Sequence, residues 1–250
     1  MLNYTRTGDG PQTLLLIHGL LGGPVTWQDV VPLVEPHFTT IVVELPGVGQ
    51  SPYDEQITTI SDFADAMVEV LDAEGIDQAI WVGHSLGGYV TSAALRDHSD
   101  RISHAVLAYS TPVPDSAEKK VSRDANIELA RTEGPSALAD AMAPGFFLPT
   151  DPAEPVRRYR AAADAWPLET MIRTLTAVRD RDDTTDLLAA ATMPVLIVRG
   201  RDDDKVPYLP ADNRIGQTIV VDTGHMGTLT HPHTFAGVLM GWLADLALFA

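Results

Sequence analysis

A serine flanked by glycines is the residue of this chain whose setting most strongly indicates covalent chemistry. Gly83-His84-Ser85-Leu86-Gly87-Gly88 directly follows an apolar run at residues 79–82 and begins a helix-length segment. A strand, a sharp turn and a helix in this order form a nucleophile elbow, which exposes the serine hydroxyl at the end of a sheet. The helix would point its N-terminus at the serine, so the Leu86 N–H could stabilise an oxyanion. The pattern therefore predicts Ser85 as a nucleophile for acyl transfer.

A serine hydroxyl becomes a good nucleophile only when a base removes its proton and a carboxylate orients that base. Gly224-His225-Met226 lies between the last apolar run and the terminal helix-length segment. This position predicts His225 as the base, on a loop at the carboxyl end of the sheet, where open α/β folds keep their sites. The acid candidates are Asp202, Asp203 and Asp204, which follow the apolar run at 195–198, and composition does not choose among them.

The remaining histidines are weaker candidates for chemistry. His84 adjoins the serine, but the turn is expected to direct its side chain away from the site, and His18 could line the site from an early loop. His231 and His233 flank a proline at a helix start without an obvious third ligand, so we predict no metal site. The chain has no cysteine, which excludes cysteine nucleophiles, thiolate zinc sites and iron–sulfur clusters.

The elements that must position these residues follow an α/β pattern. Short apolar runs alternate with helix-length amphipathic segments, which predicts a mostly parallel central sheet flanked by helices. Central parallel strands are covered on both faces and lack alternation; the runs lie at residues 14–17, 40–43, 79–82, 105–108, 195–198 and 218–221. Helices are predicted at about 61–74 and 86–97 and from 232 onward, the first with a capping box of Thr59 and Asp62.

One stretch interrupts this alternation. Residues 112–167 are rich in proline and contain no strand candidate. They predict short helices, one of them with a capping box of Asp115 and Glu118 at its start. We expect one domain over residues 1–250, with a helical cap inserted at approximately 112–170.

Charge and composition limit the partners. The chain has 250 residues, and 17 basic against 34 acidic residues give a net charge of −17. Such a charge repels nucleic acid and anionic membrane surfaces, and no apolar run approaches the ~20 residues of a membrane span. We do not expect the first residues to form a signal peptide, because they lack a basic start followed by an apolar core. We therefore expect a cytoplasmic monomer or homodimer that acts on a small molecule, without nucleic-acid or membrane partners.

Four blocks in chain order resemble the α/β-hydrolase-fold serine hydrolases, specifically their carboxylesterase-like branch. They are His18-Gly19-Leu20-Leu21-Gly22-Gly23 with Trp27, residues 44–51, the elbow around Ser85, and the paired segments 200–207 and 224–235. The resemblance covers nearly the whole chain apart from the cap. Glu44 and Val48 depart from the more common aspartate and histidine of the second block.

The resemblance implies specific roles. Relatives carry the catalytic aspartate three residues after the glycine and four before the proline of the 200–207 segment, which implies Asp203 as the acid. They also use the N–H after the His-Gly pair, which implies Leu20 as an oxyanion donor beside Leu86. A triad of Ser85, Asp203 and His225 would then hydrolyse a carboxylic ester through an acyl-enzyme, with no metal or organic cofactor.

Apolar residues of the cap and the early loop suggest a pocket for small to medium acyl or aryl groups. The expected lining is Leu21, Trp27, Phe146, Phe147 and Trp166. A cluster of arginines in the cap, Arg157, Arg158 and Arg160, could meet a substrate carboxylate, although arginines at this density are more often solvated.

The sequence is also compatible with other functions. The same triad could cleave a thioester, a lactone or the carbon–carbon bond of a diketone, or could act as a perhydrolase. From a different class, the chain could be a receptor that binds a ligand without turnover. A substrate panel separates the enzymes, and stoichiometric labelling without product release would identify the receptor.

Overall fold

The computed structural model describes residues 1–207 and 216–248. Seven strands within these residues form one sheet: β1 (Tyr4–Thr7), β2 (Thr13–Ile17), β3 (Thr39–Val43), β4 (Ala79–His84), β5 (Ile102–Ala108), β6 (Val195–Gly200) and β7 (Gln217–Val221). Their order is β1-β3-β2-β4-β5-β6-β7, with β1 antiparallel to β3 and the other neighbours parallel. This sheet and its flanking helices confirm the predicted fold class.

The helices follow the predicted alternation. They are α1 (Val31–Val34), α2 (Ile60–Ala73), α3 (Leu86–Asp97), α4 (Ala117–Glu133), α5 (Pro135–Phe146), α6 (Ala153–Asp164), α7 (Leu168–Arg179), α8 (Thr185–Ala189), α9 (Gly227–Thr230) and α10 (Pro232–Asp245). Helix α2 begins with the predicted capping box, in which the Asp62 N–H donates to Thr59 Oγ1 and the Thr59 N–H donates to Asp62 Oδ2.

The sheet separates two apolar cores because successive strand residues face opposite sides. Leu15 and Ile17 of β2 pack with residues of α2 and α3. Leu14 and Leu16 of the same strand pack with residues of α1 and α10. All four side chains are fully buried, as expected for a strand covered on both faces.

Two features at the start of elements differ from the expectation. Strand β1 was not predicted, because it is short, polar and half exposed at the sheet edge. Helix α4 is capped by Ser116, whose hydroxyl accepts from the Lys119 N–H, instead of by Asp115. The Asp115 side chain is buried between two arginines, at 3.0 Å from Arg123 and 2.9 Å from Arg181.

Five helices, α4 to α8, lie between β5 and β6 in the chain, and we call the first four, α4 to α7, the cap helices. The last of them ends at Arg179, beyond the expected boundary near residue 170. They contribute Leu138, Tyr159 and Met171 to the core that also contains α2 and α3. Throughout the described ranges, no helix combines the length and apolarity needed to cross a bilayer.

Candidate active site

The carboxyl ends of parallel strands bring the predicted site residues to one edge of the sheet. Strand β4 ends just before Ser85, β6 before Asp203 and β7 before His225, while β2 ends before the loop that carries Leu20. In a parallel sheet these ends share an edge, and this is where ligands of open α/β folds bind. Residues that are far apart in the sequence therefore lie side by side.

Ser85, His225 and Asp203 form one chain of hydrogen bonds. Ser85 Oγ lies 3.0 Å from His225 Nε2, and His225 Nδ1 lies 2.9 Å from Asp203 Oδ2. An ionised carboxylate can only accept, so Nδ1 carries the proton and Nε2 is left to accept the serine hydroxyl proton. This tautomer is the one that a general base facing Ser85 requires.

The environment of Asp203 keeps its carboxyl group ionised. Burial by itself raises the pKa of Asp203, but the charge and hydrogen bond of His225 oppose it, together with the Lys205 N–H at 2.9 Å from Oδ1. The balance places the pKa of Asp203 below its usual value. A buried, ionised carboxylate can orient the imidazole and stabilise the imidazolium form.

The turn at Ser85 has the strained backbone expected of a nucleophile elbow. Ser85 has φ 51° and ψ −111°, an unfavourable conformation for a residue with a Cβ. Two bonds hold it: the Ser85 N–H donates to the Ala108 carbonyl at 2.9 Å, and Ser110 Oγ donates to the Ser85 carbonyl at 2.7 Å. A Cβ on Gly83 would lie 2.0 Å from the Gly87 oxygen, so only glycine permits this close approach.

Two backbone N–H groups beside Ser85 are available to a ligand. Leu86 is the first residue of α3, where an N–H has no acceptor within the helix. Neither its N–H nor that of Leu20 donates a hydrogen bond to any residue within 1–207 and 216–248. Both leucines line the cavity that holds Ser85 and His225. Such a pair of donors suits the oxyanion of a tetrahedral intermediate.

A cavity of about 220 Å³ lies between the elbow and the cap helices. It is smaller than the roughly 300–1,000 Å³ of sites for drug-sized ligands, so it suits a small substrate. Its lining residues are Leu20, Ser85, Leu86, Tyr89, Lys119, Ser122, Arg123, Asn126, Ala141, Met142, Gly145, Phe146, Val178, Lys205 and His225.

Among the expected pocket residues, the structure brings only Phe146 into this cavity, where its ring centroid lies 4.9 Å from that of His225. Leu21, Trp27, Phe147 and Trp166 are buried outside its lining. Trp27, for example, packs 5.8 Å from Phe235, centroid to centroid. These large side chains fill the apolar cores, where burial stabilises the fold.

Two buried histidines form hydrogen bonds with the backbone of loops at the site. The His84 side chain lies outside the cavity lining, and its Nε2–H donates to the backbone carbonyl of His225 at 3.0 Å. His18 Nε2 accepts from the Leu45 N–H at 3.1 Å, so its Nδ1–H donates to the Gly19 carbonyl at 2.9 Å. Burial lowers the pKa of His84 to about 3 and that of His18 to about 4. Both rings are therefore neutral at pH 7. In the sequence, the one signal that His84 contacts the site is its position directly before Ser85.

Sequence reasoning also missed the polar wall of the cavity, which comes from α4. Its residues recur at positions i, i+3, i+4 and i+7, a spacing that was available as a signal: Lys119, Ser122, Arg123 and Asn126.

The cap arginines proposed for a substrate carboxylate are engaged elsewhere. Arg157 pairs with Glu154, Arg158 with Asp29 and Arg160 with Asp140, and none of the three arginines lines the cavity. In the described part of the chain, no group of three or more acidic or histidine side chains is arranged to hold a metal ion.

Comparison with known proteins gives consistent matches over the whole chain. Residues 14–238 match the model of a family described as the alpha/beta hydrolase family. The chain is 28% identical to the pimeloyl-[acyl-carrier protein] methyl ester esterase of Vibrio vulnificus, over 96% of this chain and 97% of that protein. It is 26% identical to the 2-hydroxy-6-oxo-6-(2'-aminophenyl)hexa-2,4-dienoic acid hydrolase of Metapseudomonas resinovorans, over 98% and 88%. A solved thermophilic esterase from Thermogutta terrifontis, with malate bound, superposes with a TM-score of 0.91 at 27% identity, covering 100% of this chain and 94% of that one.

Proposed function

Because the chain belongs to the alpha/beta hydrolase family, we propose that it is a serine esterase that hydrolyses carboxylic esters of small to medium acyl or aryl groups. The observation that carries this proposal is the hydrogen-bonded chain from Ser85 through His225 to Asp203, with distances of 3.0 and 2.9 Å. A serine in contact with a correctly oriented base is the arrangement that acyl transfer requires. The named esterases among the relatives support an ester as the substrate.

In the first half of the proposed reaction, Ser85 Oγ attacks the ester carbonyl carbon as its proton passes to His225 Nε2. The carbonyl oxygen becomes an oxyanion, which the N–H groups of Leu20 and Leu86 stabilise by typically ~3 kcal/mol each. Asp203 stabilises the imidazolium that forms. The intermediate collapses when the imidazolium protonates the leaving alcohol, which leaves an acyl-enzyme.

In the second half, a water molecule takes the place of the alcohol. His225 removes a proton from this water as it attacks the acyl carbonyl, and the same two N–H groups stabilise the second oxyanion. The imidazolium then returns its proton to Ser85 Oγ as the carboxylic acid is released. The chemistry needs only substrate and water, so the proposal includes no cofactor.

The cap helices would select the substrate. We treat residues 1–250 as one domain in which the cap helices close the cavity over the catalytic edge of the sheet. Phe146 packs against His225 from this side, so the cap forms one wall of the acyl site. A cytoplasmic location and a monomeric or homodimeric state remain predictions from the sequence.

One relative favours a second candidate function. The Metapseudomonas protein is named as the hydrolase of an oxo dienoic acid instead of an ester. Hydrolysis of a carbon–carbon bond beside a ketone is therefore the alternative reaction for this triad.

A p-nitrophenyl ester series from acetate to decanoate tests the proposal. We expect turnover with an optimum at short acyl chains, lost in Ser85→Ala and retained in Ser61→Ala, a serine-to-alanine control away from the cavity. Undiminished hydrolysis by Ser85→Ala would refute the assignment of the nucleophile. A burst of about one equivalent without turnover would instead favour the second candidate or a receptor.

A further inference from the structure

The cavity beside Ser85 has one cationic and polar wall. Lys119, Ser122, Arg123 and Asn126 of α4 all line it. Their spacing of i, i+3, i+4 and i+7 places them along one face of the helix. Ser122 is exposed and the other three side chains are partly buried, so this face lies where the cavity opens to solvent and presents polar groups to a molecule that enters.

The sign of the charge on this wall opposes that of the whole protein. Lys205, from the loop after β6, adds a third cation, and none of the lining residues within 1–207 and 216–248 is an aspartate or glutamate. The chain carries a net charge of −17, and its only lysines are Lys119, Lys120 and Lys205. Two of these three lysines face this single cavity. A cationic cleft in an acidic protein concentrates anions locally.

The acidic side chains that pair with these cations are too few to neutralise them. Arg123 pairs with Asp115 at 3.0 Å, but Asp115 is shared with Arg181. Lys205 pairs with Asp204, whose side chain is 76% exposed, so water screens that pair. In the described parts of the chain, the Lys119 ammonium has no acidic partner within ion-pair distance. Burial is the largest cause that lowers the pKa of Lys119; the charges of Arg123 and Lys205 act in the same direction, and those of Asp115 and Asp204 oppose them.

We propose that the ester hydrolysed at Ser85 carries a second, anionic group, a carboxylate or a phosphate, which Lys119, Arg123 and Lys205 bind within the cavity. Apolar residues on the same lining, Met142 and Val178, suit a short hydrocarbon chain between the ester and the anion. This inference deepens the proposed esterase function and rests on it. Lys119 is the primary binding group because, among the described residues, its ammonium is the one cation of this wall without an acidic side chain within ion-pair distance.

A matched pair of methyl esters tests the preference for an anion. Monomethyl adipate and methyl hexanoate differ only in a carboxylate that replaces the terminal methyl group, and released methanol reports kcat/KM for both. The variants are Lys119→Met and the control Lys120→Met, which removes the same side chain one position along α4, outside the lining. Repeating the assay at high salt shows whether the preference is electrostatic.

We expect the wild-type kcat/KM to favour monomethyl adipate by about tenfold or more, the size expected of a hydrogen bond between charged groups. Lys119→Met should remove most of this preference, Lys120→Met should keep it, and salt should weaken it. Equal or better hydrolysis of methyl hexanoate by the wild type would overturn the anion site while leaving the esterase function intact. Equal preferences in the two lysine variants would overturn the role of Lys119.

A binding measurement separates failure of the inference from failure of the esterase function. Adipate and inorganic phosphate are added to the wild type and both variants, and the unfolding temperature is followed; the more effective anion identifies the group on the substrate. We expect a rise in the wild type and Lys120→Met but not in Lys119→Met. If neither ester is hydrolysed and this pattern holds, the ester assignment fails and the anion site stands. No rise with either anion in any variant would overturn the anion site.

Discussion

Acid should destabilise this protein through two buried neutral histidines. Protonating His18 would place a donor at Nε2, which now accepts from the Leu45 N–H. Protonating His84 would place a donor at Nδ1, which is buried with no hydrogen-bond partner among the described residues. Both protonations therefore cost free energy in the folded state, and this cost appears in the pKa values of about 4 and about 3, against 6.5 for an ordinary histidine.

The loss of stability can be calculated from the linkage between proton binding and folding. Because both folded pKa values lie below the unfolded value, the unfolded chain binds the protons first, and stability is lost as the pH falls below about 6.5. At pH 5 each histidine then costs about 2 kcal/mol relative to pH 7, and the pair about 4 kcal/mol. The carboxylate of Asp203 contributes little to this window. The folded pKa of Asp203 lies below the ordinary value for an aspartate, so the stability that Asp203 contributes is lost only at lower pH.

Urea unfolding at pH 7 and pH 5 measures this loss. The free energy of unfolding of the wild type should fall by about 4 kcal/mol between the two pH values, and that of His18→Gln or His84→Gln by about 2 kcal/mol less than the wild type. His233→Gln, at an exposed position on α10, is the control. If the wild type and both buried variants lose the same free energy, the two histidines are not buried as neutral groups and the reasoning is refuted.

Three further substitutions, one of them with a matched control, test the site and the residues that support it. Asp203→Asn should lower kcat by about 10³- to 10⁴-fold with the fold intact, because an amide can stabilise the wrong histidine tautomer; steady-state assays and circular dichroism check this, and unchanged kcat would contradict it. Asp115→Asn should cost about 3–5 kcal/mol, because it leaves two arginines buried without their carboxylate. The exposed Asp140→Asn should cost less than about 1 kcal/mol in the same urea experiment, and equal losses would count against a buried network. Phe146→Ala should shift the acyl-chain optimum to longer esters, since the ring forms one wall of the cavity; an unmoved optimum would place the acyl group elsewhere.

The central strands could be predicted because their burial dictates their composition. A strand covered on both faces must be apolar throughout, and residues 14–17 and 195–198 show this directly. Strand β1 is not covered on both faces: its middle residues, Thr5 and Arg6, are exposed. Its strand conformation depends on pairing with β3. An edge strand of four polar residues leaves no apolar pattern to detect.

Loop positions after strands pointed to Ser85, to His225 and to a group of three aspartates, from which the family resemblance implied Asp203, whereas the pocket lining could not be predicted. Ser85, Asp203 and His225 each follow a recognisable strand, and strand ends meet at one edge in a parallel sheet. Which side chains of the cap face inward depends on how its helices pack. Trp166, for instance, donates its Nε1–H to the Gly22 carbonyl at 2.7 Å inside the core instead of lining the cavity. The apolar character of such a residue predicts that it is buried, but the sequence does not predict which residues it packs against.

Covalent labelling of the serine tests the central claim most directly. The wild type is treated with a fluorophosphonate, which reacts with activated serines, and the labelled peptide is located by mass spectrometry as esterase activity is followed. We predict one phosphonyl group per chain, attached to Ser85, and loss of activity in proportion to labelling. Esterase activity that survives complete labelling of Ser85, or activity lost through labelling of another residue, would contradict the account.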